Sequence, residues 1–317
     1  MELANLFPES ILERPMLVVG HIRADGDAIG AQIALCRALN AKGFRAKLLV
    51  DKDIPHKFLP FIGDTPNEPA TSFSYSGEAI CAVDCAGKER LSPFFDQAID
   101  VNIDHHNLNP KFATHNYVQT ASSTCELLAE LLLDARWPID AVSANALYLG
   151  IVTDSGQFVH TETTAETHRI AATLVDLGAK PEAIHDVLYQ HESLPTYKLL
   201  QRFLDSLQLF CDGSLCIGML FLADFAETGT THAATEDFVN YPRSIDGVAI
   251  SAFIEETRDG TRVSMRARQP SARLDLIAKN FGGGGHPSAA GFASKFSPND
   301  VVPVLVKALQ RPIQNDF

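Results

Sequence analysis

No stretch of this sequence supplies the roughly twenty uninterrupted apolar residues that a membrane-spanning helix needs. The opening residues, MELANLFPESILERPML, also lack the basic region and apolar run of a signal peptide. A soluble, unexported, cytoplasmic protein with no membrane partner is therefore expected. Cysteine is sparse and scattered. Cys36, Cys81, Cys85, Cys125, Cys211 and Cys216 lie in hydrophobic segments, not in the dense framework of a small secreted domain, so reduced thiols are expected. Cys81 and Cys85 suggest half a zinc site, but no second close pair accompanies them, and AICAVDC reads as a buried strand. Positive charge is also in short supply. With 26 Lys and Arg against 39 Asp and Glu, the formal net charge is −13. That balance argues against a protein that tracks along long duplex DNA, because such proteins gain affinity by neutralising many phosphates. Internal repeats and low-complexity tracts are missing as well.

What is present describes an ordinary globular chain. Its 317 residues are 46% hydrophobic and 21% charged, enough for a sizeable core and long enough to suggest two domains. The first half alternates short β-rich runs with helical patterns. MLVVGH (16–21) reads as a strand, followed by a helix over about 28–42 in which Ile29, Ile33, Cys36 and Leu39 recur at helical spacing. Further strands are expected over 44–50, 79–84 and 100–104. Ser123-x-x-Glu126 and Thr163-x-x-Glu166 read as capping boxes that open two more helices. Alternation of this kind implies a mostly parallel sheet covered on both faces.

The second half has strand-like runs at 215–222, 248–256 and 261–268, with Asp259-Gly260 as a hairpin signal between the last two. The expected architecture is α/β: a mostly parallel sheet in a first domain (1–190), a helical linker or hinge (191–204), and a smaller α/β domain (205–317). The active site is expected in the cleft between them.

Four segments of the first half carry the chemistry. His21-x-x-x-Asp25-x-Asp27 follows the first strand, Asp84 ends AICAVD, Asp104-His105-His106 ends DVNID, and Asp154 follows a helix-like apolar run. Ligands of open α/β sheets bind at the carboxyl ends of strands. Singly, each has a bland reading. Asp27 could cap the helix that follows it, His21 could be a hydrogen-bonded loop residue, and paired histidines occur on surfaces. Jointly, several carboxylates and imidazoles converging on one edge would repel one another unless cations were bound. Oxygen-rich ligation with imidazole and no thiolate suits Mn²⁺, Mg²⁺ or Fe²⁺, with Mn²⁺ preferred. Two such ions would serve phosphoester or phosphoanhydride hydrolysis.

In order and spacing, these segments resemble the four motifs of the DHH phosphoesterase family. FGGGGHPSAAGF (281–292) resembles the glycine-rich signature of the C-terminal domain associated with it. The resemblance is closest to bacterial nanoRNase/pAp phosphatases and cyclic di-AMP phosphodiesterases. It implies that His21 and Asp25 hold one metal and Asp27, His105 and Asp154 the other, with Asp84 bridging. His106 would face the scissile phosphate and Asp104 would orient a histidine. Gly283, Gly284, Gly285, His286 and Arg266 would contact the substrate, with Arg268 a further candidate.

Taken without the resemblance, the glycine run is also a tight turn. Arg258, Arg262, Arg266, Arg268, Arg273 and Lys279, set against Asp259 and Asp275, are also a solvated hairpin face. The implied activity is hydrolysis of short RNA or of the small nucleotide 3′-phosphoadenosine 5′-phosphate (pAp) through a metal-bridging hydroxide. A cyclic di-AMP phosphodiesterase, an inorganic pyrophosphatase and a non-catalytic nucleotide sensor are the alternatives. A homodimer through the first domain is implied in the same way.

Overall fold

The computed structural model describes residues 6–22, 24–51, 54–91, 96–235 and 237–315. The chain divides into two compact units, Met1–His191 and Glu192–Phe317.

In the first unit, six strands form one sheet in the order β3-β2-β1-β4-β5-β6. They are β1 (Met16–Val19), β2 (Ala46–Val50), β3 (Asn67–Pro69), β4 (Ala79–Val83), β5 (Val101–Asp104) and β6 (His115–Val118). Every pairing is parallel. The central runs are apolar at consecutive positions, and β1 and β4 are buried along their whole length, as a doubly covered parallel strand requires.

The two covers differ. On one face Met16, Val18, Cys81, Val83, Val101 and Ile103 pack against helices α1 (Gly26–Ala41), α2 (Thr124–Asp134) and α3 (Ala141–Asp154). On the other face Leu17, Val19, Ile80 and Ala82 are covered by Leu91, Ile99, Phe73 and Phe112 from loops and turns. The expected double cover is therefore helical on one side only among the described residues. Cys81 and Cys85 are buried and free, in keeping with the strand reading.

Helix starts shift by a residue or two from their expected places. Asp25 caps α1, accepting the N–H groups of Asp27 and Ala28 at 3.1 Å. Asp27, offered above as the cap, lies inside the first turn and is left available for another task. Ser123 caps α2 as expected, but the Glu126 carboxylate accepts from Ser122 and Thr167 and does not close the box. The helix α4 (Ala165–Asp176) is capped by Thr164, which makes a reciprocal box with Thr167. Thr163 is not the cap, and Glu166 contributes its main-chain N–H to Thr164 but not the carboxylate of a box. Neighbouring hydroxyls compete for one cap, and the sequence spacing alone does not choose between them.

The second unit holds a mixed sheet in the order β11-β12-β10-β9-β8-β7. Its strands are β7 (Gln208–Phe210), β8 (Leu215–Leu220), β9 (Ile250–Thr257), β10 (Gly260–Ala267), β11 (Gly284–His286) and β12 (Ala289–Ser294). β8 and β9 pair in parallel and the rest antiparallel. The hairpin turn is Arg258-Asp259, because Gly260 already pairs with Thr257. Helix α5 (Leu194–Asp205) falls in the expected linker, yet it buries Leu199 and Phe203 in this unit against Phe238 and Phe253. Helices α6 (Leu274–Asn280) and α7 (Pro298–Asn315) cover the opposite face. Among the described residues no helix is long and apolar enough to cross a membrane.

Candidate metal centre

The parallel sheet delivers its chemistry at one edge. β1 ends shortly before His21, β4 just before Asp84, and β5 on Asp104 with His105 and His106 beyond it. α1 and α3 bring Asp27 and Asp154 to the same place. Gly150 of α3 permits their close approach: a Cβ there would lie 2.7 Å from Asp27 Oδ1 and 2.3 Å from Cys125 Sγ. Asp84 has φ 53°, a left-handed conformation that a non-glycine residue adopts at a cost. Its N–H is tied to Ile103 O at 3.0 Å, so neighbouring β5 helps hold the strained turn that aims its carboxylate.

Three overlapping groups result: His21, Asp25 and Asp84; Asp27, His105 and Asp154; and Asp84, His105 and His106. Within each, the potential ligand atoms lie within 4.8 Å of one another. His21 Nε2 is 3.7 Å from Asp25 Oδ2 and 3.5 Å from Asp84 Oδ2. His105 Nε2 is 3.2 Å from Asp154 Oδ2 and 3.7 Å from Asp84 Oδ1. Asp84 thus stands between the two histidines, and the first-half residues singled out from sequence are brought together.

The imidazoles are oriented for ligation. His21 Nδ1 donates to Ile22 O at 2.8 Å and His105 Nδ1 to Ala121 O at 3.2 Å. A carbonyl can only accept, so both contacts favour a proton on Nδ1 and turn Nε2 toward the carboxylates, although Arg90 Nη2, itself a donor, also approaches His21 Nδ1 at 3.2 Å. This arrangement is characteristic of metal-binding histidines. The His106 ring is set by a carboxylate instead. Its Nδ1 donates to Asp104 Oδ1 at 2.8 Å, while Asp104 Oδ2 accepts from Asn109 Nδ2 at 2.7 Å.

The charges favour cation binding. Burial, joined by repulsion from Asp84, Asp154 and Asp25, raises the Asp27 carboxyl well above its ordinary range. Asp154 rises to about 6, mainly through burial, with Asp84 and Asp25 adding to the rise and His105 opposing it. Burial works against a charged His21, yet hydrogen bonds to Asp25 and Asp84 outweigh it and lift the ring to about 10, so without a cation Nε2 holds a proton that a bound metal would displace. In the Asp104–His106 pair, burial opposes both charges. Their mutual hydrogen bond prevails, lowering the carboxyl and raising the imidazole. Four carboxylates crowded this way need compensating charge, and oxygen and imidazole donors without thiolate fit hard or borderline divalent ions.

Several supporting residues escaped sequence reading. Thr124 N–H donates to Asp27 Oδ2 at 2.7 Å, and its hydroxyl donates to Asp84 Oδ1 at 3.1 Å. Cys125 N–H reaches Asp27 Oδ1 at 2.8 Å. His160 Nδ1 donates to the Asp154 carbonyl at 2.9 Å. Of these, only Ser123-x-x-Glu126 left a trace in the sequence, by marking where the helix bearing Thr124 begins.

In the second unit the basic cluster separates into individual roles. Arg262 pairs with Glu255 and Arg273 with Asp275. Arg268 gives its donors to the carbonyls of Val248, Arg243 and Ile245. Arg266 is half-buried and forms no ion pair among the described residues. Burial, joined by repulsion from Arg243, lowers its pKa, so an anion would be welcome there.

The glycine run begins in a turn, with Gly282 at φ 76°, and its last two glycines open the edge strand β11. A Cβ at Gly283 would lie 2.1 Å from Gly291 O, and Gly285 has φ 140°. Gly284 meets neither constraint: it is exposed, and nothing inside the chain demands a glycine there. His286 is exposed beside it.

The N-terminal domain of the DHH family matches residues 15–151 and the DHHA1 domain residues 214–315. The chain is 31% identical to the bifunctional oligoribonuclease and PAP phosphatase NrnA of Thermus thermophilus, over 90% of this chain and 85% of that protein. It is 30% identical to the protein of the same description from Mycoplasma pneumoniae, over 92% and 90% respectively. The crystal structure of an exopolyphosphatase-related protein from Bacteroides fragilis superposes with a TM-score of 0.88 at 23% identity, covering 95% of this chain and 94% of that one. That likeness concerns the fold.

Proposed function

Because the chain belongs to the DHH family and carries its DHHA1 domain, we propose that it is a two-metal phosphoesterase that hydrolyses short oligoribonucleotides and pAp. One observation carries the reading: His21 and His105, each with Nδ1 held at a main-chain carbonyl and Nε2 turned inward, flank the Asp84 carboxylate within overlapping ligand groups. His21 and Asp25 would hold one ion, Asp27, His105 and Asp154 the other, and Asp84 both. Mn²⁺ is the preferred ion, with Mg²⁺ or Fe²⁺ as alternatives. Such a pair, when bound, polarises the phosphoryl oxygen and makes water a usable nucleophile near neutral pH.

The remaining work falls to the chain. His106, its Nδ1 committed to Asp104, presents Nε2 to the scissile phosphate, and Asp104 stabilises positive charge on the ring as negative charge builds on the substrate. Four carboxylates leave the metal pair near neutrality, so the anionic far end of the substrate needs other partners. Arg266, the main chain at Gly283, Gly284 and Gly285, and His286 supply them. Arg268 holds the strand-end carbonyls and serves the site through its fold. Six free thiols, five of them buried, accord with a cytoplasmic location. A homodimer belongs to the same proposal, and light scattering of the purified chain checks it.

The test is a Mn²⁺-supported hydrolysis panel of pAp, an RNA dinucleotide, cyclic di-AMP and pyrophosphate. Turnover of pAp and the dinucleotide is expected, with loss of turnover in Asp84→Ala and a raised KM in His286→Ala. Preference for cyclic di-AMP or pyrophosphate would reassign the substrate. Equal activity of wild type and Asp84→Ala would refute the shared-carboxylate site.

A further inference from the structure

Thr124 occupies an unusual place. It is fully buried at the first position of α2 and touches two carboxylates that are remote from it in sequence. Its main-chain N–H holds Asp27, 97 residues away, and its hydroxyl holds Asp84, 40 residues away. Each belongs to a different side of the candidate metal pair: Asp27 groups with His105 and Asp154, Asp84 with His21 and Asp25. The two buried carboxylates repel each other; Cys125 N–H also holds Asp27 and Ile103 O also holds the Asp84 turn, but each of these touches one side alone. Thr124, with two donors in fixed geometry, touches both.

We infer that Thr124 is a positioning residue that sets the spacing of the two metals by clamping Asp27 through its N–H and Asp84 through its hydroxyl. This rests on the proposed reading of the site as a metal pair. By donating to Asp84 Oδ1, the hydroxyl fixes the rotation of the carboxylate about its side-chain bonds. Oδ2 then lies 3.5 Å from His21 Nε2 and Oδ1 3.7 Å from His105 Nε2. Without the hydroxyl, Asp84 is free to turn toward one histidine and abandon the other. The main-chain clamp on Asp27 does not depend on the side chain, so substitution at this position isolates the Asp84 contact.

The experiment is calorimetric titration of Mn²⁺ into the full chain stripped with chelator, without substrate, for wild type, T124V, T124A and T124S. Thermal melting in chelator confirms that each variant is folded. Valine keeps the shape and removes the hydroxyl, serine keeps the hydroxyl and removes the methyl, and alanine removes both. Manganese binding weakened by about 10- to 100-fold is expected in T124V and T124A, with T124S close to wild type. If valine does not fold, the serine and alanine pair decides alone. Wild-type affinity in T124V, or serine as weak as alanine, would overturn the inference while leaving the metal centre intact. A wild-type chain that binds no divalent ion would overturn the proposed function, and this inference with it.

Discussion

Asp104 and the glycines at the start of β11 and just before it show how single residues divide between structure and chemistry. Asp104 is completely buried and shares its two oxygens between His106 and Asn109. In Asp104→Asn one oxygen remains, so one partner loses its acceptor and the His106 tautomer is no longer enforced. Turnover of pAp should fall about 10- to 100-fold, while Mn²⁺ affinity measured by calorimetry changes far less. A parallel collapse of metal binding would mean that Asp104 serves the cluster as a whole. Gly283 and Gly284 are adjacent in sequence but differ in environment. Gly283→Ala drives a Cβ into the Gly291 carbonyl and should destabilise the chain by about 1–3 kcal/mol, seen as a lower melting temperature. Gly284→Ala meets no neighbour, so its melting temperature should match wild type while KM rises. Unchanged KM would remove Gly284 from the substrate site.

The N-terminus of α3 carries a second kind of residue, one that matters for the helix and not for the chemistry. Asp140 accepts the Ser143 N–H and the Arg37 guanidinium. Burial acts to raise its pKa, but Arg37 and Ser143 hold it down at about 2. Its stabilisation is therefore complete above the unfolded carboxyl value of about 4 and lost as pH falls through about 2. Asp140→Ala should cost about 1 kcal/mol at neutral pH, chiefly through the cap, because the half-exposed ion pair is screened by solvent. In acid melts the gap from wild type should close between pH 4 and pH 2; a constant gap would assign the effect to packing.

Elements of this kind were largely legible in the sequence. Apolar runs such as MLVV and AICAV can only be buried strands, and periodic apolar residues fixed α1. Their ends were less legible. Thr163 and Thr164 offer the same hydroxyl, and the packing of Thr167 against Glu126 decides between them. Thr124 left no signal of its own, because its role exists only once α2 meets residues 40 and 97 positions away.

For the whole molecule, the charge balance and the substrate class make a joint prediction. A chain of net charge −13 whose Arg266, in the candidate anion site, forms no ion pair among the described residues should contact few phosphates. The log–log dependence of kcat/KM on salt should then have a slope of about −1.5 or shallower, from about two phosphates on a single strand. A slope several times steeper would indicate a long polyanion as substrate. The two-domain plan and the convergence of the four motifs at the edge of the first sheet were readable from the order of strands and acidic segments alone. The division of labour among the six bases between Arg258 and Lys279 was not, because it depends on which strand neighbour each one meets. The central claim is that residues between His21 and Asp154 together trap two divalent ions. Anomalous diffraction at the manganese edge tests it most directly. Two peaks are predicted, one beside His21, Asp25 and Asp84 and one beside Asp27, His105 and Asp154, with Asp84 touching both. A single peak, or none among these residues, would contradict the account.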